Sequence, residues 1–559
     1  MKTFWTSFYS YKGGVGRSLA LANVAALLVK RGHRVVLFDF DLEAPGLDTY
    51  AAFADAKEKP GIVEYVAEFQ RHQAAPEITP YVHAVSLPGQ LRGKLWIMPA
   101  GRKDKAYNRL LARTRWADLF DAGIGMPFVE NWKLSIEQQF QPDYVLIDSR
   151  TGLTEIGGVC TTAFPDLVVV LFGLNEQNIE GTATVARYIR ESKLERTPQI
   201  HFVATPVPNL LLDKKGLLRE RLEIAEKTLG IQLAGNSIRY WPSAALIERL
   251  FVLDESFSEP GLAQDHNALC NKITDFNRNG LDFLLSQSEE AIRADDVELG
   301  AKLATVLATE FSNRSEAVFC RSRLARLGNG VGEAVQLAEQ AFALDPVYEP
   351  PFEFLSAHYR RAKQFDRIEA MCEQLLRLSS RLPRDRKNRV LMSIGELRMS
   401  LGNYIQAAQH YKQLLEHALD DERRPPLLAL VYQFNAAESA RRAGQNVPLS
   451  TWEKIIHLFE GLPVLEGPPI LAANRHEALY IPYALTGDIP KARDSLLKAK
   501  RIAETANDLE TMFSVRDYRN VNRAEFRAIN DDLLAALERG ELWDGTKLPA
   551  QTKELRPED

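Results

Sequence analysis

The sequence predicts two fold classes in succession: an α/β fold with a doubly wound, mostly parallel sheet, and then an all-α fold. Up to about residue 285, short apolar runs alternate with helical segments. Several of those runs contain few polar residues, as is typical of strands buried on both faces by covering helices. Beyond residue 285 the runs disappear, and Ala, Leu, Glu, Arg and Lys recur at helical spacing.

The first half follows a β-α-β-α order, which is the pattern of a doubly wound sheet. Its helical segments include Ser18–Lys30, Pro127–Phe140 and Asn178–Glu191. The predicted strands are Phe4–Ser10, Arg34–Phe40, Leu95–Pro99, Tyr144–Asp148, Leu167–Phe172 and Ile200–Ala204.

The composition is that of an ordinary globular chain. At about 150 residues per domain, 559 residues predict two to four domains. The 45% hydrophobic and 26% charged residues exclude a collagen-like or largely disordered chain, and a net charge of −5 indicates no general attraction to nucleic acid or anionic lipid. The four cysteines form no C-x-x-C pair, and the chain shows neither a signal peptide nor an apolar run of about 18 residues. We therefore expect a cytoplasmic protein with no membrane partner.

The second half contains an internal repeat. Ala341 follows Ala334 by seven residues, and Ile368 takes the next small-residue place at a distance that matches the 34-residue period of the tetratricopeptide repeat. The positions resemble that repeat, in which small residues let paired helices approach and each pair buries its apolar face by stacking on its neighbours. The resemblance predicts an α-solenoid of about four to six helix pairs that binds a protein partner. We place a first domain at 1–285, the helical repeats at 286–540 and a polar tail at 541–559.

The most informative segment is the glycine-rich stretch at residues 11–18. It follows the first predicted strand and opens the first predicted helix, so that backbone N–H groups and a helix N-terminus would face bound phosphates. It departs from the pattern G-x-x-x-x-G-K-[ST] at Tyr11, in the first glycine position, and at Arg17, in the lysine position. The residues predicted to bind the nucleotide are Gly13, Gly14, Val15, Gly16, Arg17, Ser18 and Leu19.

A second basic residue, Lys12, stands directly before the glycine pair. The string Lys-Gly-Gly-Val-Gly-Arg resembles the deviant Walker A motif of the ParA/MinD family of ATPases, in a variant branch that carries arginine. The resemblance implies a P-loop NTPase fold with ATP and Mg²⁺ as cofactors. It also implies a nucleotide-dependent homodimer in which Lys12 reaches the phosphates of the partner subunit.

Two further motifs extend the resemblance to about residue 255. Asp41 matches the first-switch aspartate that orients the attacking water, and Asp148, at the end of an apolar strand, matches the Walker B aspartate that holds Mg²⁺. Ligands bind at the carboxyl edge of such sheets, which supports both assignments. We interpret Asp39 as a capping or solvated residue. Arg150 is either a phosphate sensor or a member of a surface ion pair.

Arg17 is the departure with the largest chemical consequence. Arginine is planar, always protonated and able to bind two oxygens, so we expect ATP binding with slow hydrolysis that depends on dimerisation or a partner. The expected mechanism is in-line attack of water on the γ-phosphate. Asp41 positions the water, Ser18 and Asp148 hold Mg²⁺, and Arg17 with the partner's Lys12 neutralises developing charge. Adenine contacts could come from residues 205–209 or 240–243, which could equally be ordinary connections.

Three functions fit these observations. The first is a regulatory ATPase whose nucleotide-dependent dimerisation controls the protein-binding repeats, a type that the motif's resemblance associates with bacterial antiviral systems. The second is a cargo-positioning ATPase that binds DNA nonspecifically, for which Arg187–Arg196 is a candidate basic strip or a solvated helix face. The third is a scaffold that binds ATP without hydrolysing it, an alternative that Arg17 keeps open.

Overall fold

The computed structural model describes residues 2–89, 91–116, 125–152, 154–192, 197–208, 216–242, 246, 248–254, 260–419, 426–461, 469–505 and 511–549. The chain divides into two compact units, residues 1–337 and 338–559. The predicted boundary at residue 285 therefore falls inside the first unit.

The first unit contains the predicted doubly wound sheet. The described strands run in the order β3-β4-β2-β5-β1-β6-β7-β8, and every neighbouring pair is parallel except β3 and β4. The prediction of a mostly parallel sheet is confirmed. The strands are β1 (Phe4–Tyr9), β2 (Arg34–Asp39), β3 (His83–Val85), β4 (Lys94–Met98), β5 (Tyr144–Asp148), β6 (Leu167–Phe172), β7 (Gln199–Val207) and β8 (Ser237–Arg239).

Helices cover both faces of this sheet because successive strand residues point to opposite sides. Phe4 and Phe8 of β1 belong to an apolar layer with the first helix, whereas Trp5 belongs to an aromatic layer on the other face that includes Trp132. The helices are α1 (Arg17–Lys30), α2 (Ile62–His72), α3 (Tyr107–Arg113), α4 (Gly125–Phe140), α5 (Glu155–Gly158), α6 (Glu176–Arg190), α7 (Leu217–Leu229), α8 (Pro260–Phe276), α9 (Leu281–Arg293), α10 (Val297–Glu310) and α11 (Ser315–Leu327).

Four charged residues, which we call the amino-end cluster, attach α9 and α11 to the amino ends of β2 and β5. His33 precedes β2, and its Nε2 lies 3.0 Å from Asp282 Oδ1 on α9. Asp143 precedes β5, and its Oδ2 lies 3.4 Å from His33 Nδ1 and 3.2 Å from Nη1 of Arg314, the residue before α11. These contacts explain why the first compact unit extends past residue 285.

The second unit is built mainly from helices that pack on their neighbours in the chain. Ala407, Ala492 and Ala499 are fully buried, and a Cβ added at Gly395 would lie 2.9 Å from the ring of Tyr411, so small residues do permit close approach. In the described part of the chain, no helix combines the length and apolarity that crossing a membrane requires. The helices are α12 (Val331–Leu344), which crosses the division between the units, α13 (Glu349–Arg361), α14 (Phe365–Arg377), α15 (Arg384–Ser400), α16 (Tyr404–Leu419), α17 (Pro426–Arg442), α18 (Leu449–Gly461), α19 (Pro469–Leu485), α20 (Ile489–Thr505) and α21 (Arg523–Glu538).

The second half also contains strands that the sequence pattern does not reveal. β9 (Thr511–Ser514) and β10 (Arg519–Asn522) form an antiparallel hairpin that packs against α19 and α21. Each strand has only four residues, and β10 has the single apolar residue Val521, so neither resembles a buried run.

Part of the predicted polar tail is folded. Leu542 is buried, and its N–H donates to the carbonyl of Thr546 over 2.9 Å. The start of the segment 541–559 therefore packs on the unit, while residues 550–559 lie outside the described residues.

Candidate functional site

The glycine-rich loop connects β1 to α1 at the carboxyl edge of the sheet. Gly14 and Gly16 have φ angles of 79° and 77°, a left-handed conformation that favours glycine. A Cβ added at Gly13, Gly14 or Gly16 would meet nothing within 4 Å, so these glycines border open space. No described side chain caps the N-terminus of α1, which leaves backbone N–H groups there to bind an anion.

A cleft of about 440 Å³ lies over this loop. All residues from Gly13 to Leu19 that were predicted to bind the nucleotide line it, together with Asp41 and Arg150. Among the described residues, Lys12 and Asp148 are absent from the lining. The remaining lining residues are Ser10, Glu43, Ala44 and Thr151.

Arg17 lies between the two carboxylates that the sequence assigns to the reaction. Its Nε donates to Asp148 Oδ1 over 2.5 Å, and its Nη2 donates to Asp41 Oδ2 over 2.6 Å. The arginine is 7% exposed and Asp148 is 0% exposed. Burial by itself would lower the pKa of Arg17, but the charges of Asp148 and Asp41 outweigh it and raise that pKa. The structure therefore joins residues from three separate motifs in one ion-pair network.

A third carboxylate, Asp39, lies beside this network. It ends β2 in register with Asp148, and its Oδ1 accepts a hydrogen bond from the N–H of Asp41 over 3.3 Å. Burial raises its pKa well above the ordinary value, and the charges of Asp148 and Asp41 add to that effect. Asp39 does cap the following turn, but it is buried rather than solvated. The sequence could have indicated this burial, because Asp39 lies at the end of a predicted buried strand.

Arg150 forms an ion pair at the rim of the cleft. Its Nη2 lies 2.5 Å from Glu43 Oε2, and both side chains are partly exposed. Because Arg150 also lines the cleft, this contact is compatible with either interpretation of the residue.

The residues at this site fit a nucleotide with a divalent cation. Asp148 Oδ2, Arg17 Nη1 and the hydroxyl of Ser10 are buried without a hydrogen-bond partner among the described residues. No described group of three or more His, Cys, Asp or Glu side chains could hold a metal by itself. Mg²⁺ commonly takes one or two carboxylates together with phosphate oxygens, so Ser18 and Asp148 would hold it in company with the nucleotide. Ser10 lines the cleft and is a further candidate to bind the nucleotide or its cation, although the motif resemblance did not include it.

The segments considered for adenine recognition do not line the cleft where they are described. Thr205 supports the loop instead, since its hydroxyl donates to the carbonyl of Val15 over 3.3 Å. Tyr240 is exposed. Residues 209 and 243, which belong to the same predictions, lie outside the described residues.

The candidate DNA-binding strip is only partly described. Arg187 and Arg190 are exposed on α6, whereas residues 193–196 lie outside the described residues.

Tyr11 packs so closely on α6 that Gly181 is required beneath it. A Cβ at Gly181 would lie 2.1 Å from Cδ1 of Tyr11. The Nζ of Lys12 lies 5.7 Å from the centroid of the same ring, so Tyr11 also influences where that ammonium is held.

Gly181→Ala is therefore expected to displace the loop and weaken binding of a fluorescent ATP analogue by about tenfold. Tyr11→Gly with Gly181→Ala is the matched control, because removal of the ring removes the collision. That double variant should bind as tightly as Tyr11→Gly alone. A further loss on adding Gly181→Ala to Tyr11→Gly would contradict the steric explanation.

Comparisons with known proteins agree with the loop motif. The family model described as the CobQ/CobB/MinD/ParA nucleotide binding domain matches residues 7–515. No curated protein matches the chain.

Solved structures with a similar fold include the MinD cell division protein of Aquifex aeolicus, at 17% identity and a TM-score of 0.35 over 49% of this chain and 97% of that chain. The MinD of Pyrococcus horikoshii complexed with Mg-ADP has 15% identity and a TM-score of 0.37 over 49% of this chain and 96% of that chain. A ParA family ATPase from Chlorobium tepidum has 16% identity and a TM-score of 0.36 over 48% of this chain and 98% of that chain. The family match confirms the resemblance drawn from the loop, and the chain belongs to the CobQ/CobB/MinD/ParA nucleotide-binding domain family.

Proposed function

We propose that this protein is a regulatory ATPase that binds ATP, hydrolyses it slowly and thereby controls a protein-binding surface on its helices. The observation that carries the proposal is the cleft itself. A loop whose glycines border open space lies next to Asp41 and the buried Asp148, at the edge of the sheet where ligands bind. The antiviral context implied by the motif is part of the same proposal.

The proposed reaction is in-line attack of water on the γ-phosphate. Ser18 and Asp148 would hold Mg²⁺, which would supply positive charge to the phosphate oxygens. The N–H groups of the loop bind the phosphates, and Asp41 orients the water from the wall of the cleft. Arg17 offers a charged, planar group that can bind two phosphate oxygens in the transition state.

A homodimer with two bound nucleotides forms part of the proposal. Lys12 is exposed and does not line its own cleft, which supports a role on the nucleotide of a partner subunit. Closure of two subunits over ATP would link the occupancy of the cleft to the shape of the surface that a protein partner meets.

Steady-state ATP turnover by the purified full-length protein tests this function. Asp41→Ala is expected to reduce turnover by about a hundredfold while ATP binding persists, because the residue positions the water. Asp55→Ala is the matched control, since it removes an exposed carboxylate a short distance further along the chain. Equal turnover by the wild type and Asp41→Ala would contradict the assignment. ATP binding without turnover in any form of the protein would favour the non-hydrolysing scaffold.

A further inference from the structure

The carboxylate assigned to the metal does not reach the cleft. Asp148 is fully buried, and among the described residues it is absent from the cleft lining. Arg17 does line the cleft, and its Nε is bonded to Asp148. The arginine therefore lies between the metal ligand and the space that a nucleotide would enter.

Arg17 also binds Asp41, the residue that is assigned to orient the attacking water. One guanidinium contacts Oδ1 of Asp148 at 2.5 Å and Oδ2 of Asp41 at 2.6 Å. A divalent cation binds carboxylate oxygens too, and Mg²⁺ does so at about 2.0–2.1 Å. A metal ion and this guanidinium would thus compete for the same carboxylates.

Phosphate is the natural competitor for the guanidinium. Arginine binds carboxylate and phosphate in the same forked, charge-assisted geometry, so a phosphate can take the place of a carboxylate on this guanidinium. The Nη1 of Arg17 is buried without a hydrogen-bond partner among the described residues, so a phosphate oxygen would supply the partner it lacks once the guanidinium turns toward the cleft. The loop that begins at Asp41 is tied a second time, at the rim, by Arg150 on Glu43.

We propose that Arg17 makes the divalent cation site conditional on nucleotide. Without nucleotide, the guanidinium neutralises Asp41 and Asp148 and excludes the cation. Polyphosphate draws the guanidinium into the cleft, and both carboxylates become free to hold the cation and the water. This inference rests on the proposed function, because it requires the cleft to bind ATP. It predicts an order of binding in which nucleotide precedes metal.

The test is binding of Mn²⁺ to the full-length protein, measured by electron paramagnetic resonance without nucleotide. Arg17→Met is expected to bind Mn²⁺ about tenfold more tightly than the wild type, because both carboxylates lose their bound cation. Adding Asp148→Asn to Arg17→Met should abolish the gain. Arg314→Met is the matched control: it removes one cation from the buried Asp143 at the amino edge of the sheet, where His33 remains as a partner, and should gain no Mn²⁺ site.

Arg17→Lys is a second variant for the case that Arg17→Met does not fold, because lysine keeps a cation beside the two carboxylates. Its compact ammonium cannot bridge both groups as the fork does, and a gain in Mn²⁺ affinity over the wild type is again expected. Wild-type affinity for Mn²⁺ equal to that of both variants would overturn the proposal, as would a gain that survives Asp148→Asn.

ATP binding measured in EDTA separates this inference from the proposed function. Failure of the wild type to bind ATP both in EDTA and with added Mg²⁺ would refute the nucleotide cleft, whereas binding only with added Mg²⁺ would overturn the order of binding. The Mn²⁺ comparison of the variants does not involve ATP at all. Metal-free ATP binding together with unchanged Mn²⁺ affinity in the variants would refute only the role of Arg17.

Discussion

Replacing His33 with glutamine is expected to reduce the free energy of unfolding of the first unit by about 3 kcal/mol below pH 6.5. His33 is 1% exposed and lies between Asp282 and Asp143 in the amino-end cluster. Burial would lower its pKa, but the two carboxylates outweigh burial and raise the pKa from 6.5 to about 9. Glutamine keeps a polar group at this position but cannot carry the charge.

The raised pKa of His33 also determines how the free energy of unfolding depends on pH. A group whose pKa is raised by folding stabilises the fold fully below its unfolded pKa, and this contribution is lost as the pH rises through the folded pKa. Wild-type stability should therefore fall between pH 6.5 and about 9. Arg31 and Arg314 also face the cluster, and both keep their charge over this pH range. Burial raises the pKa of the adjacent Tyr144 well above its ordinary value, so this phenol does not titrate in the range either.

Urea unfolding followed by tryptophan fluorescence at several pH values measures both effects. His266→Gln is the matched control, because His266 is also buried but burial lowers its pKa to about 4, outside the range tested. That control should retain the wild-type loss of stability between pH 6.5 and about 9. A His33→Gln protein with the same loss would show that the imidazole is not the titrating group.

Replacing Arg442 with methionine is expected to destabilise the second unit by about 3 kcal/mol. Its Nε lies 2.7 Å from Oε1 of the fully buried Glu438. Nη1 and Nη2 donate to the carbonyls of Arg516 and Val515, each over 2.9 Å, and the guanidinium lies 4.6 Å from the ring of Trp543. One side chain therefore joins α17, the β9–β10 hairpin and the folded start of the tail. Methionine preserves the apolar stem but removes every polar contact.

Hydrogen–deuterium exchange of the peptide covering residues 511–522, together with urea unfolding, measures this effect. Faster exchange in the hairpin is expected, because its turn carbonyls lose their donors. Arg516→Met is the matched control: that arginine pairs with Asp517 and Asp532 nearer the surface, and its loss should cost no more than about 1 kcal/mol. Equal effects of the two substitutions would contradict a special role for Arg442.

The elements that the sequence predicted best are those whose burial is continuous. The run Phe4–Ser10 corresponds to β1 (Phe4–Tyr9), which is buried along its whole length. The run Tyr144–Asp148 coincides with β5. The three-residue strands β3 and β8 were not predicted, because strands so short and partly exposed leave no apolar run to recognise.

The site was predictable where its residues are close in the chain. The loop at residues 11–18 could be recognised because its glycines and the start of the following helix are adjacent in the sequence. By contrast, Arg17 meets Asp41 across 24 positions and Asp148 across 131, and His33 meets Asp282 across 249. Motif spacing could propose Arg17, Asp41 and Asp148 as members of a site, but the pairing of His33 with Asp282 has no signal in the sequence. Only the fold shows which cation pairs with which carboxylate.

Strand β5 has a buried aspartate of a charged cluster at each of its ends. Asp143 directly precedes the strand and Asp148 ends it. Five steps of about 3.3 Å each separate them by roughly 16 Å. A hydrogen-bonded strand flanked by parallel neighbours hardly stretches, so it behaves as a rigid rod between the two carboxylates. A shift of the Asp148 backbone along the strand axis is therefore expected to reach Asp143 and its partner Arg314, with no flexible loop in between.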